Sequence, residues 1–195
     1  MRSSESSTGR SPITPTKPLV RSAHPDDLPE IRAIYAHHVL HGLGSFEEVP
    51  PDADEMRRRF EEVADRGLPY LVAVMHGTVV GYGYCNLFRT RSAYRFCLED
   101  SIYVKDGQHG KGVGRALLGE LIECCTALGY RQIIAVIGDS ANTNSIRLHA
   151  SLGFIHSGML RSTGFKFGRW VDTVTMQRPL GPGDGTLPQK DPGAA

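Results

Sequence analysis

The sequence offers no long apolar run, no cysteines at metal-binding spacing and almost no net charge, and each lack removes a class of function. Its longest apolar stretches, such as Leu71–Val74 and Ile133–Ile137, are far too short to cross a bilayer. Charge is balanced, with 22 Lys and Arg against 21 Asp and Glu, so no broad field exists to hold nucleic acid or an anionic membrane. An anionic ligand must therefore be gripped by a local site. The four cysteines, Cys85, Cys97, Cys124 and Cys125, include no C-x-x-C pair, and adjacent Cys124 and Cys125 point apart on a helical stretch. Reduced, partly buried thiols are expected rather than a zinc site or a disulfide framework, and no metal is expected. The N-terminus lacks the charged, apolar and small-residue order of a secretory signal. A cytoplasmic protein is the expectation.

What is present reads as one folded block between two tails. Residues 1–18 are rich in Ser, Thr and Pro, and residues 181–195 read GPGDGTLPQKDPGAA, compositions that bury too little to order a chain. The domain is expected over 19–180. Leu19-Val20 open it as a short strand. Asp26 and Asp27 suit a helix start, with Ile31, Ile34, Tyr35 and Val39 at helical spacing behind them. A second helix is expected over Asp54–Arg66, ended by Gly67. Strands follow at Tyr70–Met75 and Thr78–Tyr84, joined at His76-Gly77, and a third at Arg95–Val104. Val113–Leu128 reads as a long amphipathic helix and Gln132–Ile137 as a buried strand. A helix over Asn144–Leu152 and strands at Phe154–Leu160 and Val171–Met176 complete a mixed α/β sheet with helices on both faces.

The most informative segment is His109-Gly110-Lys111-Gly112-Val113-Gly114-Arg115, between a strand and the long helix. Glycines let backbone N–H groups approach a ligand, and the helix N-terminus adds about half a positive charge. Lys111 and Arg115 can neutralise more, so the segment is read as a pyrophosphate cradle. It is not a P-loop, since no Lys-Ser or Lys-Thr follows the last glycine. Nor is it a Rossmann turn, which needs G-x-G-x-x-G at the first strand–helix junction.

On these residues the sequence resembles the GNAT superfamily of acetyltransferases. Its Gln/Arg-x-x-Gly-x-Gly/Ala loop is filled from His109 to Gly114, with His109 in the place of Gln or Arg. The segment Asn142–Phe154 resembles a second superfamily motif, with His149 where a Tyr is common. Four further segments, Ser45–Pro50, Phe88–Tyr94, Val136–Gly138 and Phe165–Trp170, are similar to the phosphinothricin and methionine sulfoximine acetyltransferase branch. Asn86-Leu87 departs from the Gly-Pro of that branch. The resemblance covers about residues 19–180 and implies a sheet of about seven strands flanked by about four helices.

It also implies roles. Acetyl-CoA is the expected co-substrate, its pantetheine arm paired with the backbone of Ile102, Tyr103 and Val104. Its phosphates would lie on His109–Arg115, with Asn142 and Ser145 close by, although Asn142 also suits a helix N-cap. Glu99 is the expected general base, in a strand whose apolar neighbours would raise its pKa. The same carboxylate could instead sit at a sheet margin paired with Arg95. Asp100 alternates to the other face. His149 could bond the leaving thiol or pack in its helix. Arg89 and Arg91 would read an anionic group on the substrate, Arg91 fitting the branch better. Phe46, Phe88 and Tyr94 would wall the pocket, and Glu47 is assigned to the substrate side. The expected partner is a small amino-acid-like amine, and a homodimer is implied. Acetylation of peptides and non-catalytic acyl-CoA binding are the alternatives.

Overall fold

A computed structural model describes residues 17–193. The N-terminal tail, apart from Lys17 and Pro18, lies outside the described residues. The strands are β1 (Leu19–Ser22), β2 (Tyr70–Met75), β3 (Thr78–Leu87), β4 (Cys97–Val104), β5 (Gln132–Gly138), β6 (Ile155–Lys166) and β7 (Arg169–Pro179). The helices are α1 (Leu28–His41), α2 (Ala53–Asp65), α3 (Val113–Ala127) and α4 (Thr143–Ala150). They form one seven-stranded sheet in the order β1-β2-β3-β4-β5-β7-β6. Every adjacent pair is antiparallel except β4 and β5.

Local chemistry accounts for the elements. The β2–β3 hairpin turns at His76 and Gly77, both at positive φ, which matches the right-handed twist of the strands it joins. The Asp52 carboxylate accepts from Glu55 N at 2.8 Å and caps α2, whose Met56 and Val63 are buried while Arg58 and Glu62 pair on the outside. Along α3, Val113, Leu117, Leu118, Leu121, Ile122 and Cys125 form the inward stripe.

Strand alternation assigns the faces. Tyr82 and Tyr84 lie on one side of β3, stacked with Tyr70 and, for Tyr82, with Tyr103 5.0–6.0 Å apart (5.9, 5.0 and 5.1 Å). Tyr35 of α1 meets Tyr103 edge-on at 5.0 Å, so α1 covers this face. Gly81 and Gly83 face the opposite way, toward Val113, Leu117 and Leu121 of α3. Glu99 therefore shares the α1 face, and Asp100 the α3–α4 face, as the alternation predicts.

Several boundaries differ from expectation: β3 runs on to Leu87, β6 runs on to Lys166 and β7 spans Arg169–Pro179. Arg95 and Phe96 precede β4, because the chain first makes a short 3-10 turn at Ser92–Tyr94. Residues 181–193, whose composition reads as a tail, lie against the domain. Arg131 donates to Gly183 O and Thr186 Oγ1, Gly193 N bonds Leu128 O, and Arg95 pairs with Asp191 at 2.7 Å. Those partners are remote in sequence, so composition carries no trace of them.

Candidate active site

Pairing between β4 and β5 stops at Asp100 and Ala135, and the two strands then part. Toward β3, the ladder uses alternate residues, since Phe88 N bonds Cys97 O and Lys105 N bonds Val80 O. Tyr103 falls in that series, with Tyr82 as its register partner. The peptide groups of Ile102 and Val104 therefore turn to the gap. Val104 O accepts from His38 Nε2 at 2.8 Å. Burial, the largest influence, holds the His38 imidazole below its ordinary pKa, which suits a neutral ring donating one N–H. Of the three residues expected to pair with pantetheine, Ile102 and Val104 have the direction for it. Tyr103 also lines the cavity, but its backbone pairs with Tyr82 in the sheet and its ring joins the tyrosine stack. His38 was not foreseen, although its place beside Tyr35 and Val39 on the inward side of α1 was the available signal.

The gap opens into a cavity of about 1350 Å³. At one end lies the glycine turn, with Gly110 at φ +76° and Gly112 at φ +80°. The left-handed region is open to glycine at no steric cost. Gly112 is the N-cap of α3 and no side chain caps that helix, so the first N–H groups of Val113, Gly114 and Arg115 are left for an anion. His109, Gly110, Gly112, Val113, Gly114 and Arg115 line this end, as do Asn142 and Ser145. Lys111 does not; its ammonium donates to Gln108 Oε1 at 2.9 Å, and Gln108 lines the wall instead. Asn142 caps α4, its Oδ1 accepting from Ser145 N at 3.2 Å. An uncapped helix N-terminus behind an open glycine turn, beside a strand edge with free peptide groups, fits the phosphates and amide arm of acetyl-CoA.

Glu99 lines the middle of the cavity with no hydrogen bond or ion pair to its carboxylate among the described residues. Burial, the largest influence, and the charge of Asp100 push its carboxyl above the ordinary range, while Arg89 pulls it partly back. Arg95 is not its partner, being engaged by Asp191. On the other face Asp100 Oδ2 lies 3.0 Å from His149 Nε2, and His149 Nδ1 lies 2.8 Å from Ser145 O. Burial acts to lower the His149 pKa, but the Asp100 hydrogen bond and charge, with the Ser145 carbonyl, outweigh it and raise the value. Both ring nitrogens thus have acceptors, as an imidazolium requires. His149 and Asp100 both line the cavity, yet with both ring nitrogens engaged the imidazole holds no free N–H for a thiol in this arrangement.

On the α1 face, Phe46, Glu47 and Tyr84 line the cavity opposite the cradle. Glu47 Oε1 accepts from Tyr35 OH at 2.9 Å and from Arg59 Nη1 at 2.7 Å. Phe88, Arg89, Arg91 and Tyr94 are not on its wall. They form a group beyond the Glu99 end, with Arg89 over the Phe88 ring at 4.7 Å and Tyr94 edge-on to it at 5.9 Å. The apolar wall assigned to Phe88 and Tyr94 is built by Phe46, Tyr84 and Val136 instead. Among the described residues no group of three His, Cys, Asp or Glu could hold a metal ion, and no helix is long and apolar enough to cross a membrane.

Comparison with known proteins agrees with this geometry. The family model described as the acetyltransferase (GNAT) domain matches residues 20–175. The chain belongs to the GNAT acetyltransferases. It is 59% identical over 170 residues to phosphinothricin N-acetyltransferase from Alcaligenes faecalis, covering 87% of this chain and 86% of that one. It is 41% identical to the L-methionine sulfoximine/L-methionine sulfone acetyltransferase of Pseudomonas aeruginosa, over 84% of this chain and 95% of that one. A crystal structure of a phosphinothricin acetyltransferase from Sinorhizobium meliloti in complex with acetyl-CoA superposes with a TM-score of 0.87 at 49% identity, covering 90% and 95% of the two chains. This GNAT chain is accordingly an acetyl-CoA-dependent N-acetyltransferase.

Proposed function

We propose that the enzyme acetylates the amino group of a small amino-acid-like substrate of the phosphinothricin or methionine sulfoximine type, by direct attack with Glu99 as general base. The observation that carries this reading is the half-buried Glu99 carboxylate, unpaired on the cavity wall where the β4–β5 gap meets the α1 face. An amino group is mostly protonated at neutral pH, and a carboxylate of raised pKa is suited to take that proton. Acetyl-CoA supplies an acetyl group already activated as a thioester: the amine nitrogen bonds the acetyl carbon, the C–S bond breaks, Glu99 holds the amine proton and coenzyme A leaves as its thiol. Of the two N–H groups that face the gap, that of Ile102, nearer Glu99 along β4, is assigned to the negative charge developing at the acetyl carbonyl and that of Val104 to the pantetheine arm, with Phe46 and Tyr84 excluding water beside the carbonyl.

Cys97, the one cysteine near Glu99 in sequence, is two residues away. Burial first, and then the Glu99 charge, push its thiol up to about 11, so it stays protonated at neutral pH. No His touches it among the hydrogen-bonded pairs described, which supports transfer without an acyl-enzyme. Glu47 is a contact for the substrate ammonium. Arg89 and Arg91 stand further out, where guanidinium groups attract an anionic substrate group toward the cavity mouth. We also propose a homodimer. The exposed Phe165 and Trp170 of the edge hairpin β6–β7, edge-on at 5.1 Å, form an apolar patch that a second copy would cover.

The test is thiol release from acetyl-CoA with phosphinothricin, methionine sulfoximine, methionine sulfone, free glutamate and a short peptide offered separately. Release with one or more of the first three, and none with the peptide, is the expected result. Release with the peptide alone would replace this substrate assignment.

A further inference from the structure

The segment between α1 and α2 presents Phe46 and Glu47 to the cavity, yet residues 42–52 contain no helix or strand of their own. Something outside the segment must fix it. Three residues from the far side of the sheet do so, and none has a part in the chemistry described above.

Lys166, at the end of β6, is only 1% exposed. Its ammonium donates to Gly42 O at 2.9 Å and to Ser45 O at 2.7 Å, closing the turn that leads into Phe46. Burying an ammonium is costly unless it is hydrogen-bonded, so an aliphatic side chain would serve better if packing were the only requirement. Gly138, at the end of β5, lies under the same turn. A Cβ there would collide with Leu43 O and come within 3.0 Å of Phe46 Cε1. Gly164 lies under the Phe46 ring, where a Cβ would come within 2.6, 2.8 and 2.9 Å of three ring carbons. The anchoring continues forward. Ser45 Oγ accepts from Glu47 N at 3.2 Å and lies 3.0 Å from Tyr35 OH, which donates to Glu47 Oε1. One continuous set of contacts thus runs from β6 through the turn to the Glu47 carboxylate.

We propose that Lys166, with Gly138 and Gly164, is a positioning device that sets where Phe46 and Glu47 stand and thereby determines which amine the site accepts. Lys166 acts through the turn and does not line the cavity. The proposal rests on the substrate-side reading given above. It assigns to Lys166 and Gly164, at the two ends of the Gly164–Lys166 run, a function beyond packing.

The test compares Lys166→Met, Lys166→Arg and Gly164→Ala with the parent in steady-state transfer, both substrates varied, using phosphinothricin and methionine sulfone as amines. Lys166→Met leaves two carbonyls without their donor and should lower kcat/KM for the amine on the order of 10–100-fold, chiefly through KM. The KM for acetyl-CoA should stay within about twofold, because Lys166 bonds Gly42 and Ser45 and no residue of the glycine turn. Gly164→Ala, which displaces only the Phe46 ring, should change the ratio between the two amines, and Lys166→Arg should restore part of the loss. Backbone hydrogen exchange at residues 43–48, measured without substrate, should rise in Lys166→Met whatever amine proves to be used. Equal loss toward acetyl-CoA and amine, or a lowered melting temperature with unchanged KM values, would overturn the proposal. Faster exchange at 43–48 in Lys166→Met, where the parent acetylates neither amine, would keep the anchoring and reject the substrate reading. Unchanged exchange would reject the anchoring itself.

Discussion

The two ends of the cavity are built in opposite ways. The acetyl-CoA end is made of backbone, from the glycine turn, the first N–H groups of α3 and the freed peptides of Ile102 and Val104, all within one stretch of chain. The end proposed for the amine is made of side chains from distant segments: Glu99 on β4, Glu47 and Phe46 after α1, with Arg59 on α2 and Lys166 on β6 behind them. A ligand shared by a family can be held by main chain that any sequence supplies, provided glycine opens the approach. A ligand that differs between relatives needs side chains, and side chains need anchors.

Four substitutions separate the two ends, from the largest expected effect to the smallest. Glu99→Gln removes the proposed base and should lower turnover by a factor on the order of 10²–10⁴ while leaving acetyl-CoA binding intact. Loss of acetyl-CoA affinity in the same variant would show that the ends are not separable. Asp100→Asn should cost on the order of 3 kcal/mol of unfolding free energy by denaturant titration, since both partners of the His149 pair are buried. Because His149 has a raised pKa in the fold, the pair's contribution is complete below the imidazole's ordinary 6.5 and is lost as pH rises through the folded value. Asp100→Asn should abolish that dependence.

Gly112→Val forces a β-branched residue to φ +80°, a strain of about 1–2 kcal/mol, and should weaken acetyl-CoA binding by roughly tenfold. The KM for the amine should not move with it, as a titration of each substrate would show. Arg89→Ala is the mildest. Arg89 lowers the Glu99 pKa, so its removal should let that pKa rise and shift the acid limb of the rate profile to higher pH. A limb that stays in place would detach Arg89 from Glu99.

The contrast between the two ends also explains what could be read in the chain. Element order was legible throughout, because strand alternation and helical spacing are local patterns. The glycine turn is legible because its three glycines fall within five residues, and Glu99 stands out as a candidate base because it is a carboxylate in a largely apolar strand. The bond from Lys166 to Ser45 joins residues 121 apart, and that from His38 to Val104 joins residues 66 apart. No local pattern encodes such pairs. The Arg95 partner was missed for the same reason, since Asp191 lies in a segment whose composition reads as a tail. Phe88 and Tyr94 are expected on the wall by likeness of motif alone; Phe88 follows β3 two residues beyond Asn86, the register partner of Glu99, and Tyr94 sits on the 3-10 turn at Ser92–Tyr94.

The most direct test of the central claim is the pH dependence of acetyl transfer to the amine in the parent and in Glu99→Gln. If Glu99 takes the amine proton, the gap between the two should be widest at low pH and narrow as pH rises through the amine's own pKa, where free neutral amine no longer needs a base. A constant gap across pH, or none, would contradict the assignment of Glu99 as the base.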